Sequence, residues 1–504
     1  MHILRSLKNW NLLAFLIHPG ERLAQRVAYA GFWMTFLHMS GRGLGMVRVV
    51  ILARILSTEA FGLVAVAILV VEFLDRISVT GFTTALVQRK GEIEEYLDTV
   101  WVLNIVRGLL LGVVIFLSAP FAVFLFDVPE AAPIIKIMAL APVIRGFTSP
   151  GVIYFIKELE VRKRFIWEIS SVIAEMAVAI TFAVILRNAW AIVLGILAGR
   201  IISLAVSFFI HPYRPHLRFK YQQAKELFSF GIWVLLFSLF FYFSTRFDSL
   251  YVGRLFGTSA LGIYTMAYTV IRPVADEMVQ IANVIVFPAY AKIQENAVML
   301  RQATLAALEI VALVTFPLAV VIYILAPDFI PLILGDKWME VVPVLQILGI
   351  ATAMYSLHNV GGSLFWGLGK PKYRFFLLAT ASVIMAVFLF LLSGPYGITG
   401  AALAVVIGNG GGLIFLLIAL RLILKIKIRD VIKRLSPSLL LCIVLSVILV
   451  LINFTLHDVG IGELILLLFV TAVVYAGFSV IAWKFFKTGP ISIVQWFSGS
   501  KITS

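Results

Sequence analysis

The sequence predicts an all-α polytopic membrane protein with fourteen transmembrane helices, arranged as two pseudo-symmetric six-helix bundles followed by two further helices. Hydrophobic residues make up 62% of the 504 residues and charged residues only 13%. The apolar residues form continuous runs, each close to the ~20 residues that cross a bilayer as a helix. Because these runs do not alternate with polar residues, helices are predicted rather than the strands of a membrane barrel.

Fourteen such runs follow one another along the chain. In order, the predicted spans cover residues 27–50, 61–84, 100–122, 133–155, 166–186, 190–210, 228–252, 261–288, 304–326, 341–366, 373–393, 398–421, 436–455 and 461–485. The predicted parts of the chain are an interfacial N-terminal segment, the two bundles, the two extra helices and a tail, at residues 1–26, 27–210, 228–421, 436–485 and 486–504. The two extra helices either offer an apolar groove for a lipid tail or simply pack on the bundles.

The basic residues of the loops predict the orientation. The predicted inner loops and tails, together with the inner ends of three adjoining spans (Arg374, Arg421 and Lys484), hold 28 of the 41 Lys and Arg residues, whereas the outer loops hold four: Arg54, Arg187, Arg254 and Lys337. Such an excess on alternate loops places both termini in the cytoplasm. The net charge of +15 is therefore a topology signal, which argues against nucleic-acid binding. The single cysteine, Cys442, excludes a disulfide framework.

An internal repeat relates the two halves. At an offset of 200 residues, 31–70 align with 231–270 without gaps, and the turn from Arg54 to Gly62 matches the turn from Arg254 to Gly262. Six predicted spans separate the copies, so the copies have the same orientation. Parallel repeats of this kind are typical of carriers, whose substrate site lies at the repeat interface near the membrane midplane. No segment is typical of an ion-selectivity filter, so a carrier is favoured over a channel.

Basic side chains within the early spans indicate the substrate. Nine of them lie in the first eight spans: Arg42, Arg48, Arg76, Arg107, Lys136, Arg145, Arg200, Arg246 and Arg272. A charge at the bilayer centre costs at least about 2.5–3.5 kcal/mol and usually faces a partner or a wet cavity. We therefore predict a cationic cavity that binds an anionic head group through forked guanidinium donors. The predicted binding residues are Arg42, Arg48, Arg76, Arg107, Arg145, Arg200 and Arg272.

Acidic residues in the same spans leave internal ion pairing as the alternative for each arginine. The repeat exchanges the sign of charge at three equivalent pairs of positions: 48 and 248, 72 and 272, and 76 and 276. We therefore hypothesise pairs between the bundles, Glu72 with Arg272 and Arg76 with Asp276, as well as in-helix pairs four residues apart. The predicted gate or inter-bundle residues are Glu72, Arg272, Arg76, Asp276, Arg48, Asp248 and Arg246. Glu175 and Glu309 are candidates for coupling to H⁺ or Na⁺.

Enzyme motifs are not found in the sequence. There is no Walker-type loop, HExxH, GxSxG or paired-cysteine pattern. A metal or organic cofactor and a catalytic activity are therefore not predicted. A membrane glycosyltransferase or polymerase is the least favoured class, because such an enzyme should show a larger outer loop or clustered catalytic acids.

Several segments resemble a known family. Residues 54–66 and 81–89, together with 247–264 and 284–294, are similar to segments of the Wzx-type polysaccharide flippases. These belong to the multidrug, oligosaccharidyl-lipid and polysaccharide exporter superfamily. The local similarity covers about a third of the chain, and the predicted fourteen-span layout extends it to full length.

The resemblance implies a flippase of the bacterial inner membrane that moves an undecaprenyl-diphosphate-linked oligosaccharide to the periplasmic leaflet, driven by an ion gradient. In this family, basic residues of the first, second and eighth spans contact the head group, which here correspond to Arg42, Arg48, Arg76 and Arg272. Membrane lipid and the polysaccharide polymerase machinery are the implied partners. The alternatives are a peptidoglycan-precursor flippase, and a multidrug or cation antiporter, which would favour acidic rather than basic residues.

Overall fold

The computed structural model describes residues 23–78, 82, 86–87, 89, 91–158, 160–228, 231–282, 286–455 and 460–486. Within these ranges the regular secondary structure is helical and no strand occurs. The predicted all-α multi-span class is therefore confirmed. Most of the predicted interfacial helix at 1–26 and of the tail at 486–504 lies outside the described residues.

We number the helices α1 to α16 in chain order. They are α1 (Leu23–Ile55), α2 (Thr58–Ile77), α3 (Glu94–Phe126), α4 (Ala131–Met138), α5 (Leu140–Gly146), α6 (Ile153–Lys157), α7 (Val161–Leu186), α8 (Trp190–Ile210), α9 (Tyr221–Phe228), α10 (Gly231–Ile281), α11 (Phe287–Lys292), α12 (Ala297–Ile333), α13 (Val341–Gly367), α14 (Pro371–Leu424), α15 (Ile428–Thr455) and α16 (Ile461–Phe486).

Polar caps and left-handed residues set several helix boundaries. The side chain of Ser57 accepts a hydrogen bond from the amide of Ala60 at 3.2 Å and starts α2. Helices α3, α7 and α14 end at residues in the left-handed region, Asp127, Arg187 and Lys425, with φ between 52° and 58°. Such residues turn the chain out of the helix and let the last carbonyl groups find partners.

Breaks within the helices separate or divide predicted spans. Gly257 (φ 79°) interrupts α10 and Gly397 (φ 58°) interrupts α14, so that each long helix holds two of the predicted spans. The segment of the predicted span at 133–155 is broken, because the helical segments before and after residues 147–149 are bent by 70°. Pro150 explains this break, since a proline disfavours helical geometry in the residue before it. Ser149 accordingly has ψ 128°.

Eight helices of the described ranges are long and apolar enough to cross a membrane, or nine if the bent pair forms one span. A multi-pass membrane protein is therefore confirmed, while the predicted number of fourteen spans stays a prediction.

The chain divides into two compact units. The first unit contains Met1–Arg246 and Gly253–Gly262, and the second contains Phe247–Val252 and Ile263–Ser504. In the first unit α7 packs along α8 and α1, and in the second unit α13 packs along α12 and α14. The boundaries of the two predicted six-helix bundles stay a prediction.

The first of the two predicted extra helices is fixed to its unit by charge. Arg434 of α15 donates to the buried carboxylate of Glu309 on α12 at 2.9 Å, and Arg301 of α12 pairs with Asp430 of α15. Helix α15 therefore packs on α12. This agrees with the alternative in which the extra helices pack on the bundles.

The two repeated turns contact one another within the first unit. A Cβ atom placed on Gly62 would lie 1.7 Å from the carbonyl oxygen of Thr258, and one on Gly262 would lie 2.1 Å from the carbonyl oxygen of Thr58. The hydroxyls of Thr58 and Ser259 are 2.9 Å apart. The contacts are reciprocal, which explains why threonine and glycine recur at the same offset in both copies of the repeat.

We predict that Gly62→Ala destabilises the protein by about 1–3 kcal/mol, since the methyl group meets a backbone carbonyl that cannot move aside. The thermal unfolding midpoint of the detergent-solubilised protein measures this effect. Gly43→Ala in α1 is the control, because nothing lies within 4 Å of a Cβ atom at Gly43. Equal midpoints for the two variants would contradict the close contact.

Candidate functional site

Asp75 of α2 lies between two arginines in the first unit. Its Oδ1 atom accepts a hydrogen bond from Nη2 of Arg107 on α3 at 2.6 Å and another from Arg145 on α5. The side chains of Asp75 and Arg107 are 28% and 22% exposed, so the cluster is only partly covered. One carboxylate therefore serves two guanidinium groups, which leaves a surplus positive charge.

The end of α2 helps to hold Arg107. Its Nε atom donates to the carbonyl oxygen of Ser78 at 2.7 Å, and its Nη2 atom donates to the Ser78 hydroxyl at 2.8 Å. The last carbonyl groups of a helix lack partners within the helix and carry partial negative charge, which favours a cation there. Ser78 is the residue that ends α2. The local sequence thus positions Arg107 beside Asp75.

Two further arginines belong to the same unit. Arg48 of α1 forms an ion pair with Glu175 of α7. Arg200 of α8 is exposed and lies within electrostatic range of Arg145, Glu175 and Asp75. Among the described residues, Arg200 has no ion-pair partner within 4.0 Å. Arg48, Arg107, Arg145 and Arg200 therefore outnumber the two carboxylates, and we call these six residues the cationic cluster.

The other predicted binding residues differ in their surroundings. Arg42 is half-buried and lines a small pocket with His38 and Glu168. Arg76 is exposed, and no ion pair to it is found in the described ranges. Arg272, in the second unit, likewise has no ion pair there, including with Asp276 four residues away. Glu72 and Arg76, four residues apart on α2, form no ion pair with one another either.

Glu72 has a partner within its own unit. It forms an ion pair with Arg246 of the first unit at 2.8 Å, and its pairing with Arg272 stays a prediction. Tyr242, one helical turn before Arg246, donates to the carbonyl oxygen of Leu69 on α2 at 2.7 Å and holds the two segments together. The pairing of Arg76 with Asp276 stays a prediction.

Asp248 also has partners that the sequence did not indicate. Its carboxylate is 2% exposed and accepts hydrogen bonds from the hydroxyls of Tyr264, at 2.9 Å, and Tyr268. Arg48, its repeat equivalent, pairs with Glu175 instead. The two coupling candidates both have arginine partners, Arg48 for Glu175 and Arg434 for Glu309, and these come from other helices.

A buried polar cluster of the second unit was missed. Arg374 of α14 is 9% exposed and donates to the side chain of Asn359 and to the carbonyl oxygens of His358 and Asn359. Arg374 is the second residue of the predicted span 373–393 and was therefore grouped with the charges of the adjoining inner loop. His358 contacts Asn409 of the same helix α14 at 3.3 Å. His358 and Asn359, a polar pair within an apolar run, were the only signal of this cluster in the sequence.

Comparison with known proteins gives the family. The profile of a family described as polysaccharide biosynthesis protein matches residues 51–343, which is more than half of the chain. The chain belongs to this family. The matched range contains Arg76 to Arg272 and therefore most of the predicted binding residues.

Relatives in this family come from several bacteria. The lipopolysaccharide biosynthesis protein WzxC of Escherichia coli (strain K12) is 29% identical over 376 residues, which cover 73% of this chain and 76% of WzxC. The succinoglycan biosynthesis transport protein ExoT of Rhizobium meliloti (strain 1021) is 26% identical and covers 63% of this chain and 65% of ExoT. The teichuronic acid biosynthesis protein TuaB of Bacillus subtilis (strain 168) is 26% identical over 302 residues, 59% of this chain and 62% of TuaB.

Two solved structures have a similar fold. The inward closed conformation of the lipid II flippase MurJ superposes with a TM-score of 0.70 at 16% identity, covering 89% of this chain and 98% of MurJ. An inward-facing multidrug resistance transporter of the MATE family gives a TM-score of 0.61 at 18% identity, covering 77% and 98%. The chain therefore shares the fold of these two proteins, as the resemblance in the sequence predicted.

Proposed function

We propose that the chain is a flippase that moves an undecaprenyl-diphosphate-linked oligosaccharide from the cytoplasmic to the periplasmic leaflet of the bacterial inner membrane. The glycan is the repeat unit of an exopolysaccharide, a capsule or an O-antigen. The observation that carries this proposal is the surplus of arginine over carboxylate in the cationic cluster, with Arg107 and Arg145 sharing Asp75. Membership of a polysaccharide biosynthesis family and the names of WzxC and ExoT support it.

The geometry suggests how the head group binds. A diphosphate presents several charged oxygens, and guanidinium groups bind phosphate through paired hydrogen bonds. Asp75 holds both arginines in position while no substrate is bound. The diphosphate competes with Asp75 for these donors and is also attracted by the positive charge of Arg200. The sugars then lie in a hydrated space beside the cluster, and the lipid chain remains in an apolar environment.

The same observation separates the proposal from its alternatives. A multidrug antiporter for cationic compounds would need a surplus of carboxylates rather than arginines. A peptidoglycan-precursor flippase binds a similar head group. The polysaccharide biosynthesis family and the relatives WzxC, ExoT and TuaB favour a polysaccharide repeat unit over a peptidoglycan precursor. Delivery of a repeat unit to the outer leaflet makes the polysaccharide polymerase machinery a functional partner. The proposed transport includes no chemical step.

For energy coupling we propose protonation of Glu175. This carboxylate pairs with Arg48 and lies within the field of Arg200, so the charge that a substrate experiences depends on whether Glu175 is ionised. Glu309 is instead held by Arg434 at the junction of α12 and α15. Its removal would loosen the anchoring of α15.

The first prediction here concerns head-group binding. We expect Arg107→Gln and Arg145→Gln each to weaken binding of undecaprenyl diphosphate at least about tenfold, because hydrogen bonds to charged groups contribute about 1.5–3 kcal/mol. Asp75→Asn should have the opposite effect, since the competing negative charge is removed. Arg218→Gln, at an exposed position between α8 and α9, is the control.

Binding to the purified protein in nanodiscs measures these effects, and flipping of the lipid-linked glycan in proteoliposomes shows whether they matter for transport. Binding of a cationic dye in place of the diphosphate, or unchanged affinity in both arginine variants, would contradict the proposal.

The second prediction concerns coupling. In proteoliposomes with an imposed pH gradient, Glu175→Gln should abolish the acceleration of flipping by the gradient while flipping without a gradient continues. Glu309→Gln should keep the acceleration and lower the thermal unfolding midpoint. A sodium gradient applied at equal pH distinguishes the two ions. Acceleration by sodium alone, or an unaltered pH response of Glu175→Gln, would refute proton coupling at this residue.

A further inference from the structure

A mostly apolar groove runs between α2 and α3 of the first unit, with a volume of about 360 Å³. Leu74 and Ile77 of α2 and several residues of α3 line it, and its two polar lining residues are Ser78 and Arg107. Arg107 is the residue whose guanidinium group bonds to Asp75 in the cationic cluster. The groove is therefore continuous with the proposed head-group site.

The residues of α3 that line the groove share one helix face. Val106, Leu110 and Val114 follow one another at intervals of four residues, which places them on the same side of a helix. They are 47%, 62% and 56% exposed, so the groove is open along its length. From Val106 to Val114 the face extends about 12 Å along the helix axis.

A second apolar depression provides a comparison. It lies on α15, has the same volume of about 360 Å³, and is lined by Ser436, Pro437, Leu439, Leu440 and Ile443. Its lining contains no basic residue. If lipid chains merely filled any apolar depression, the two sites would be equivalent. Of the two sites, the groove between α2 and α3 has a cation, Arg107, at the edge of its apolar surface, and the depression on α15 does not.

We propose that this groove binds the polyprenyl chain of the substrate while the diphosphate contacts Arg107. The inference rests on the proposed function and adds the route of the lipid chain, which leaves the cationic cluster between α2 and α3 rather than along α15. A hydrocarbon chain gains little hydrophobic free energy by leaving lipid, because lipid tails are as apolar as the groove. The head group must therefore bring the chain to this place, and close packing along the groove then favours a long single chain.

The test fills the groove and compares a ligand that has a hydrocarbon chain with one that has none. Val106→Trp and Val114→Trp place an indole in the groove, and the probes are undecaprenyl diphosphate and inorganic diphosphate. We expect the filled variants to bind undecaprenyl diphosphate at least about threefold more weakly, an effect of lost packing alone. Binding of inorganic diphosphate should change much less, since it has no chain to occupy the groove.

Two variants provide matched controls. Leu109→Trp alters an exposed residue on another face of α3 that does not line the groove, and Leu440→Trp fills the depression on α15. Both should bind the long-chain ligand as the unaltered protein does. If Leu440→Trp weakens binding of undecaprenyl diphosphate and Val106→Trp and Val114→Trp do not, the proposed route is wrong.

A photo-crosslinking amino acid in place of Leu110 identifies the occupant. Crosslinking to undecaprenyl diphosphate that persists with excess phosphatidylglycerol supports the proposal, whereas crosslinking to phosphatidylglycerol that undecaprenyl diphosphate does not displace overturns it. If the unaltered protein binds neither diphosphate probe, the proposed function itself fails. If it binds both and the filled groove changes nothing, only the route of the chain is refuted.

Discussion

The imbalance between arginine and carboxylate around Asp75 is the constraint on which the site depends. Inside a membrane an ionised side chain is retained only where a partner or water compensates its charge. Asp75 compensates one of the two guanidinium groups that it contacts, and Glu175 compensates Arg48. Arg200 has no such partner in the described ranges, and we propose that an anionic head group completes the balance. A diphosphate has the charge and the number of oxygens to do so.

The fold supplies the positions of these groups through helix ends and breaks. Arg107 is held by the end of α2, and Arg145 stands at the end of α5, just before the chain bends by 70°. Such ends leave backbone carbonyl groups without helical partners. The carbonyl and hydroxyl groups that bond to Arg107 belong to the end of α2. The break at Ser149 and Pro150 ends the helical segment just after Arg145.

The repeat shows what the sequence could indicate and what it could not. The matching turns around Gly62 and Gly262 predicted two related halves, and the structure explains the match by reciprocal backbone contacts. The exchange of charge between equivalent positions suggested pairs such as Glu72 with Arg272. A sequence offset says which residues are equivalent, but not which lie close together. The segment that carries Arg246 lies next to α2, and Glu72 pairs with it.

Hydrophobic runs and loop charges sufficed to predict the fold class, and the arginines within the runs indicated four of the six residues of the cationic cluster. The partners of these arginines depend on how helices pack side by side, which single runs do not record. The partner of Glu175 therefore came from α1, and Arg374 was missed because one residue decided whether it counted as loop or span.

A structure of the protein in a nanodisc with undecaprenyl diphosphate bound would test the central claim most directly. We expect phosphate oxygens within hydrogen-bond distance of Arg107 and Arg145, with Asp75 displaced from at least one of these arginines. A head group at the membrane surface, with Asp75 still bonded to both arginines, would contradict it.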